Sequence, residues 1–296
     1  MEPQANKKAS YIMLISSMLI VGTIGIFRRY IPLSSALLAF FRGVIGGTVL
    51  CIFAAVGKRG HWQSIERKKL LFLVVSGAFL GINWILLFEA YNYTTIAKAT
   101  LCYYLQPTIV LLLSPLLFNE RLTAKKMICA ASALAGMILV SGAAGGGPSQ
   151  LHEIRGIVFG LGAACFYSAV VILNKKMGHV PLYEKTIVQL FSAAVILIPY
   201  LLAVEDPGSI VFDADMIILL LIVGVIYTGV VYGLYFGSMD GLRAQTISML
   251  SYLDPMVAMA VSAFVLREPL STGGIMGAVM ILGSALVSEY EPGPKE

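Results

Sequence analysis

Long apolar runs alternate with short polar breaks along the chain, and the runs have the length of membrane spans. Ten helices are predicted, over residues 11–27, 34–55, 70–88, 97–118, 124–143, 156–174, 185–203, 216–236, 244–266 and 272–288. Small residues punctuate several of them, among them Gly43, Gly46, Gly47, Gly77, Gly81, Gly156, Gly160 and Gly162. Such residues let helices approach closely where lipid supplies no hydrophobic drive for packing. The expected fold class is therefore an all-α integral membrane protein.

Composition sharpens this reading. The 296 residues are 58% hydrophobic and 12% charged, with a mean hydropathy of +0.85, whereas an ordinary soluble domain carries about 25% charged residues. Lipid must solvate most of such a surface. The net charge of +5 does not point to nucleic acid, because the Lys and Arg residues sit in short tracts between apolar runs and not on one amphipathic face. They act as topology signals. With the N-terminus inside, fifteen of the 21 basic residues fall on the cytoplasmic side, and Arg28, Arg29, Lys98, Arg155 and Arg267 fall on the other. Both termini are expected in the cytoplasm, with the protein multi-pass in the inner (cell) membrane. Lys7 and Lys8 before the first run resemble a signal peptide, but no cleavage site leading to a soluble domain follows, so the run reads as a retained helix. Cys51, Cys102, Cys129 and Cys165 lie inside apolar runs without metal-ligand spacing and read as free thiols.

Displacing the chain by 148 positions aligns Tyr104, Leu105, Pro107, Ser114, Glu120 and Leu122 with Tyr252, Leu253, Pro255, Ser262, Glu268 and Leu270 without a gap. The same offset pairs Gly81 with Gly229, Trp84 with Tyr232 and Phe88 with Phe236. A duplication of five helices follows, and an odd number of spans per copy inverts the second copy in the membrane. The expected organisation is a cytoplasmic tail over 1–10, a first repeat over 11–143, an outer linker over 144–154, a second repeat over 155–288 and a tail over 289–296.

The blocks Tyr103-Tyr104-Leu105-Gln106-Pro107 to Asn119-Glu120-Arg121-Leu122-Thr123, and Ser251-Tyr252-Leu253-Asp254-Pro255 to Arg267-Glu268-Pro269-Leu270-Ser271, resemble the paired signature of the EamA family, in the drug/metabolite transporter superfamily. The resemblance implies a ten-helix carrier, frequently an exporter of amino acids or related metabolites, with a central cavity lined by helices 1, 3, 4, 6, 8 and 9. One departure is Val21-Gly22 in the first helix, where relatives commonly carry Trp-Gly.

Within this frame the candidate chemistry centres on Asp254. An acidic residue mid-span costs about 2.5–3.5 kcal/mol on insertion scales and usually faces a cavity or a partner. Pro255 next to it leaves the Ser251 carbonyl without its helical donor. Asp254 is read either as a proton-coupling or substrate-amine site, since desolvation penalises its charged form, or as a structural hydrogen-bonding group. Gln106 is its counterpart in the first repeat, a substrate-binding or helix-to-helix amide. Trp84, Tyr104, Tyr232 and Tyr252 form two symmetry pairs and are the leading aromatic candidates for substrate binding; Asn83, Ser248 and Tyr103 are weaker ones. Arg42, about two turns inside the second span, is expected to pair structurally with Glu89, with substrate binding as its alternative. That leaves Asp254 as the one expected mid-depth charge of the cavity. Glu120 and Glu268, at helix ends, are read as gate-closing groups, and Lys98 as snorkelling to the outer interface.

Three function classes compete. The duplication, paired prolines and lone central acid favour a secondary carrier working by alternating access, with a small amino-acid-like metabolite and protons as expected partners beside the lipid bilayer. No Walker motif, nucleophile elbow or metal-binding pattern is present, so no enzyme, cofactor or metal is expected, and nucleic acid is excluded as a partner. A receptor or assembly subunit is the alternative, and it would normally add a soluble portion. Monomer and homodimer stay open.

Overall fold

The computed structural model of the chain describes residues 7–57, 65–118, 123–141, 148–177, 180–205, 213–239, 242, 250–251, 253–268 and 271–289. All regular structure among them is helical: α1 (Lys7–Val21), α2 (Ile24–Tyr30), α3 (Ser35–Val56), α4 (Arg67–Tyr93), α5 (Ile96–Tyr103), α6 (Gln106–Phe118), α7 (Ala124–Ser141), α8 (Pro148–Met177), α9 (Leu182–Val204), α10 (Ala214–Leu221), a π-helical stretch (Ile222–Val230), α11 (Val231–Met239), α12 (Leu253–Ala260), a second π-helical stretch (Val261–Val265) and α13 (Thr272–Glu289). Six helices among the described residues are long and apolar enough to cross a membrane: Lys7–Tyr30, Ser35–Val56, Arg67–Tyr93, Leu151–Asn174, Tyr183–Val204 and Ala214–Tyr235. Apolar side chains face outward on them, with Val56 at 80% and Leu202 at 76% exposure, as lipid contact requires. Residues 148–154, expected in a linker, already form the first turns of α8.

Two spans predicted as continuous are broken. The first stops at Gly22 and Thr23, between α1 and α2, and the Thr23 hydroxyl takes up the Ile20 carbonyl at 2.7 Å. A Cβ on Gly22 would meet the Asp254 carbonyl oxygen at 2.8 Å and Val257 Cβ at 2.6 Å, so only glycine admits α12 so close. The fourth span breaks at Tyr104 and Leu105, between α5 and α6. Pro107 explains the position: it has no N–H to give the preceding turn, and it is tolerated near a helix start, where α6 places it.

The core forms where glycine-bearing helices close on one another. The largest buried cluster joins α3, α4, α9 and the first π stretch through Leu38, Phe88, Leu190 and Val223. A second, of Leu101, Cys102, Ala133, Ile157 and Ile281, joins α5, α7, α8 and α13. On α4, a Cβ at Gly77 would lie 2.5 Å from the Gln189 carbonyl oxygen, and one at Gly81 would lie 2.7 Å from that of Ala193. Backbone therefore packs on backbone along the α4–α9 seam, which sets the separation of these helices by the missing side chains.

Gly77→Leu is expected to push α4 off α9 and to lower stability by about 1–3 kcal/mol or more through overpacking, read as a fall in the thermal unfolding midpoint in detergent. Gly283→Ala, where nothing lies within 4 Å of the added carbon, should leave the midpoint unchanged or raise it slightly through helix propensity.

Candidate functional site

At the break in the fourth span, Tyr104 meets the first turn of α12. Its hydroxyl donates to Asp254 Oδ2 and also reaches the Ser251 carbonyl oxygen at 3.4 Å. That carbonyl is the one that Pro255 deprives of a helical donor, so one tyrosine hydroxyl compensates both the proline and the acid.

A ring of aromatic side chains surrounds this junction. Tyr103 packs edge-on to Tyr104 with ring centres 5.5 Å apart and lies 5.6 Å from Tyr167. Tyr91, Tyr103, Tyr104, Tyr167, Tyr232, Tyr235 and Asp254 are all enclosed by the bundle, yet each keeps part of its surface accessible. Accessible surface on residues so enclosed is the mark of a hollow within the bundle at this level. Trp84, 3% exposed, backs it from α4. The Tyr232 hydroxyl, from α11, lies near its indole N–H.

Arg42 also belongs to this hollow. Its guanidinium carbon lies 4.5 Å from the centre of the Trp84 ring and 5.8 Å from that of Phe88, cation–π contacts worth about 0.5–2 kcal/mol each. Its Nε donates to Thr228 Oγ1 at 2.9 Å. The local structure that permits this is specific. Gly46, one turn beyond Arg42, has no side chain to collide with Thr228. Thr228 sits in a π-helical stretch and gives its own hydroxyl proton to the carbonyl five residues back, that of Val223, at 3.2 Å. The wider π turn rotates Thr228 toward α3, an example of the π-bulges that often mark functional sites.

Two expectations are corrected here. Arg42 does not pair with Glu89: the Glu89 carboxylate accepts from Ser35 Oγ at 2.8 Å and from Asn92 Nδ2 at 3.1 Å. Phe88, next to Glu89 on α4, faces Arg42, and the turn of about 100° per residue carries the Glu89 carboxylate round to Ser35 and Asn92. Asp254 is in consequence not the lone charge of the hollow, since Arg42 lies within electrostatic range of it and of Tyr91, Tyr103 and Tyr232.

The other candidates separate by place. Asn83 donates to the Ala163 carbonyl at 2.7 Å and is 1% exposed, so it stitches α4 to α8 outside the hollow. The Gln106 carbonyl accepts from Ser168 Oγ at 3.1 Å, and its half-buried side chain stands beside the Tyr104 break. Tyr252, Ser248 and Glu120 lie outside the described residues. Glu268 is buried at one end of the bundle, where it takes hydrogen bonds from Arg29, from Ser262 and from the Ile96 backbone N–H at 3.2 Å. Arg267, with φ of 53°, turns the chain there through the left-handed region, so that the Glu268 N–H also reaches the Ser262 carbonyl at 2.9 Å. Arg28, bonded to Asn92 Oδ1 at 3.1 Å, and Lys98, bonded to both Glu153 oxygens at 2.8 and 2.9 Å, belong to the same end, so Lys98 pairs instead of merely snorkelling. Thr228, Tyr167 and Tyr235 were not singled out by sequence reasoning. A threonine in an apolar run carries no signal, and the two tyrosines have no counterpart under the 148-residue offset.

The fold and site define a polytopic membrane protein with an aromatic, bipolar hollow between broken helices. The EamA-like transporter family model matches residues 8–142 and again 154–289, and the chain belongs to that family. It is 29% identical to "Uncharacterized transporter YxxF" of Bacillus subtilis (strain 168), over 85% of this chain and 80% of that protein. It is 27% identical to Protein PecM of Dickeya dadantii (strain 3937), over 73% and 72% of the two chains. The "Probable amino-acid metabolite efflux pump" of Salmonella typhimurium (strain LT2) is 27% identical over 65% of this chain and 67% of its own. A crystal structure aligns with 96% of this chain and 98% of its own at a TM-score of 0.67 and 20% identity, a likeness of fold.

Tyr104→Phe removes the donor shared by Asp254 and the Ser251 carbonyl, and is expected to destabilise the protein by about 1–3 kcal/mol, the cost of stranding a buried acceptor. Tyr103→Phe, which keeps the ring contacts with Tyr104 and Tyr167, should cost about 0.5 kcal/mol or less. Thermal unfolding in detergent separates the two.

Proposed function

We propose that this chain is a secondary active exporter of a small amino-acid-like metabolite, working by alternating access with proton exchange at Asp254. The observation that carries the reading is the Tyr104–Asp254 hydrogen bond, which joins the broken fourth span to the ninth inside the aromatic hollow. A carboxyl group there can bind an ammonium group or a proton, and loses its tyrosine partner when either arrives. Homology to a protein named for amino-acid metabolite efflux supports the substrate class.

The packing supports the ten-helix inverted repeat. α4 packs on α8 and α9, while α11 and the first π stretch pack on α1 and α3. A two-fold operation exchanging the repeats converts each of these pairs into another, and it maps the α3–α9 and α7–α13 contacts onto themselves. The two matches to one family model support it further. In this arrangement the Arg29–Glu268–Ile96 junction closes the outer end, and rocking of the halves would break it as the inner end seals.

Two measurements test the proposal. In inverted vesicles with an imposed pH gradient, the native protein should drive amino-acid uptake, and Asp254→Asn should lose at least about tenfold of the gradient-driven rate and its pH dependence. An unchanged rate and pH profile would make Asp254 structural. Single cysteines introduced into a cysteine-free variant at residues 58–64 and at both termini should be labelled from the cytoplasm only, as the fifteen-to-five distribution of basic residues requires. An external C-terminus would sink the inverted repeat.

A further inference from the structure

We infer that Arg42 is a carboxylate-binding site: its guanidinium anchors a carboxylate of the transported molecule, opposite Asp254. The inference rests on the carrier reading and narrows its substrate class to molecules with a free carboxylate.

Arg42 is 6% exposed and lies at the depth of the hollow. A cation there needs compensation, because burying an unpaired charge costs several kcal/mol. What the protein provides is incomplete. Nε has Thr228, and the Trp84 face covers one side of the guanidinium plane. The terminal nitrogens Nη1 and Nη2 have no hydrogen-bond partner among the described residues. Neither is sealed against the core, since the fully buried, partnerless side-chain atoms are those of Arg28, Thr94 and Glu184. Arg42 forms no ion pair with any described carboxylate, and Asp254 is occupied by Tyr104.

Arg28 shows what a purely structural arginine looks like in this protein. Its terminal nitrogens are spent on the Ile31 carbonyl, Ser35 Oγ and Asn92 Oδ1. Arg42 is instead held at its inner nitrogen and one face, with the outer edge of the fork left for a ligand. That edge presents parallel N–H groups, the geometry that binds a carboxylate through two hydrogen bonds at once. Thr228 and Trp84 fix the plane of the fork before ligand arrives, which reduces the ordering cost of binding. A zwitterion placed between Arg42 and Asp254 completes both charges, whereas an amine lacking the carboxylate would leave the guanidinium bare. Sites built to hydrogen-bond a group reject analogues lacking it far more strongly than apolar pockets reject a missing methylene.

The test uses the full chain in detergent with Trp62→Phe, so that fluorescence reports on Trp84, the other tryptophan. The twenty L-amino acids are titrated, each beside its carboxamide. The expected result is that at least one acid quenches Trp84 emission with an affinity at least about tenfold above that of its amide. Arg42→Gln should bring the acid and amide to within about threefold of one another, mainly by weakening the acid, and Arg42→Lys should fall between. Equal binding of acid and amide by the native site, or discrimination that survives Arg42→Gln, overturns the inference and leaves the carrier reading intact. If Arg42→Gln does not fold, Arg42→Lys decides: undiminished discrimination overturns the inference. Should no amino acid bind, the amino-acid class proposed above fails, and pyruvate and lactate become the probes. Their binding to the native chain but not to Arg42→Lys or Arg42→Gln would sustain the anchor alone, and the absence of binding by any carboxylate would overturn it.

Discussion

A polar group below the lipid headgroups has no water to turn to, so one left without a partner inside the protein is costly. The architecture of the centre follows from that constraint. Pro107 follows one helix break and Gly22 sits at another, Pro255 withholds the N–H that the Ser251 carbonyl would take, and the polar atoms so exposed find partners across the bundle. The Tyr104 hydroxyl answers both the Ser251 carbonyl and the Asp254 carboxyl. Thr23, at the first break, holds its own Ile20 carbonyl and bonds the Tyr227 hydroxyl at 2.5 Å. The breaks thus create the polar site and supply the groups that make it tolerable.

Glycine determines how closely the walls of that site approach. At Gly22, Gly46, Gly77 and Gly81 an added carbon would collide with a facing helix, and three of the four lie near the contacts of Asp254, Arg42 or Trp84. Gly22 admits the Asp254 backbone, Gly46 admits Thr228 to Arg42, and Gly81 lies one turn before Ile85 and Trp84 on α4. Each of these contacts joins a helix of the first repeat to one of the second, so the glycines set how closely the two repeats meet.

Charge is partitioned between two levels. At one end Arg29 pairs with Glu268 and Lys98 with Glu153, while Arg28 lies beside Glu89 and its hydrogen-bonded partners. In the hollow, Arg42 and Asp254 oppose each other without pairing and are held by a threonine, a tryptophan and a tyrosine. In the proposed carrier, the satisfied ion pairs at the end would close a passage and the separated charges in the middle would hold a ligand that carries both signs. The same residue types have different partners at the two depths, and those partners make the difference.

Hydrophobic run length alone determined that the chain is helical and membrane-embedded, because lipid permits few alternatives to an apolar helix. The self-similar blocks around Pro107 and Pro255 likewise made the family legible, and the cost of a mid-span acid singled out Asp254, which the structure places among the aromatic candidates Trp84, Tyr104 and Tyr232. Depth and facing decided the rest. Arg42 and Glu89 lie near one face in the linear reading, but helix rotation turns Glu89 to Ser35 and Asn92, and only packing across Gly46 shows that Arg42 turns to Thr228. The π-helical stretch that presents this threonine depends on tertiary contacts of α3 with Gly224 and Gly229, and no local pattern encodes it. Asn83 reads like a cavity residue in the sequence and proves to be a clamp between α4 and α8, because an amide's role depends on which neighbouring carbonyl lies within reach, and helix rotation alone determines that.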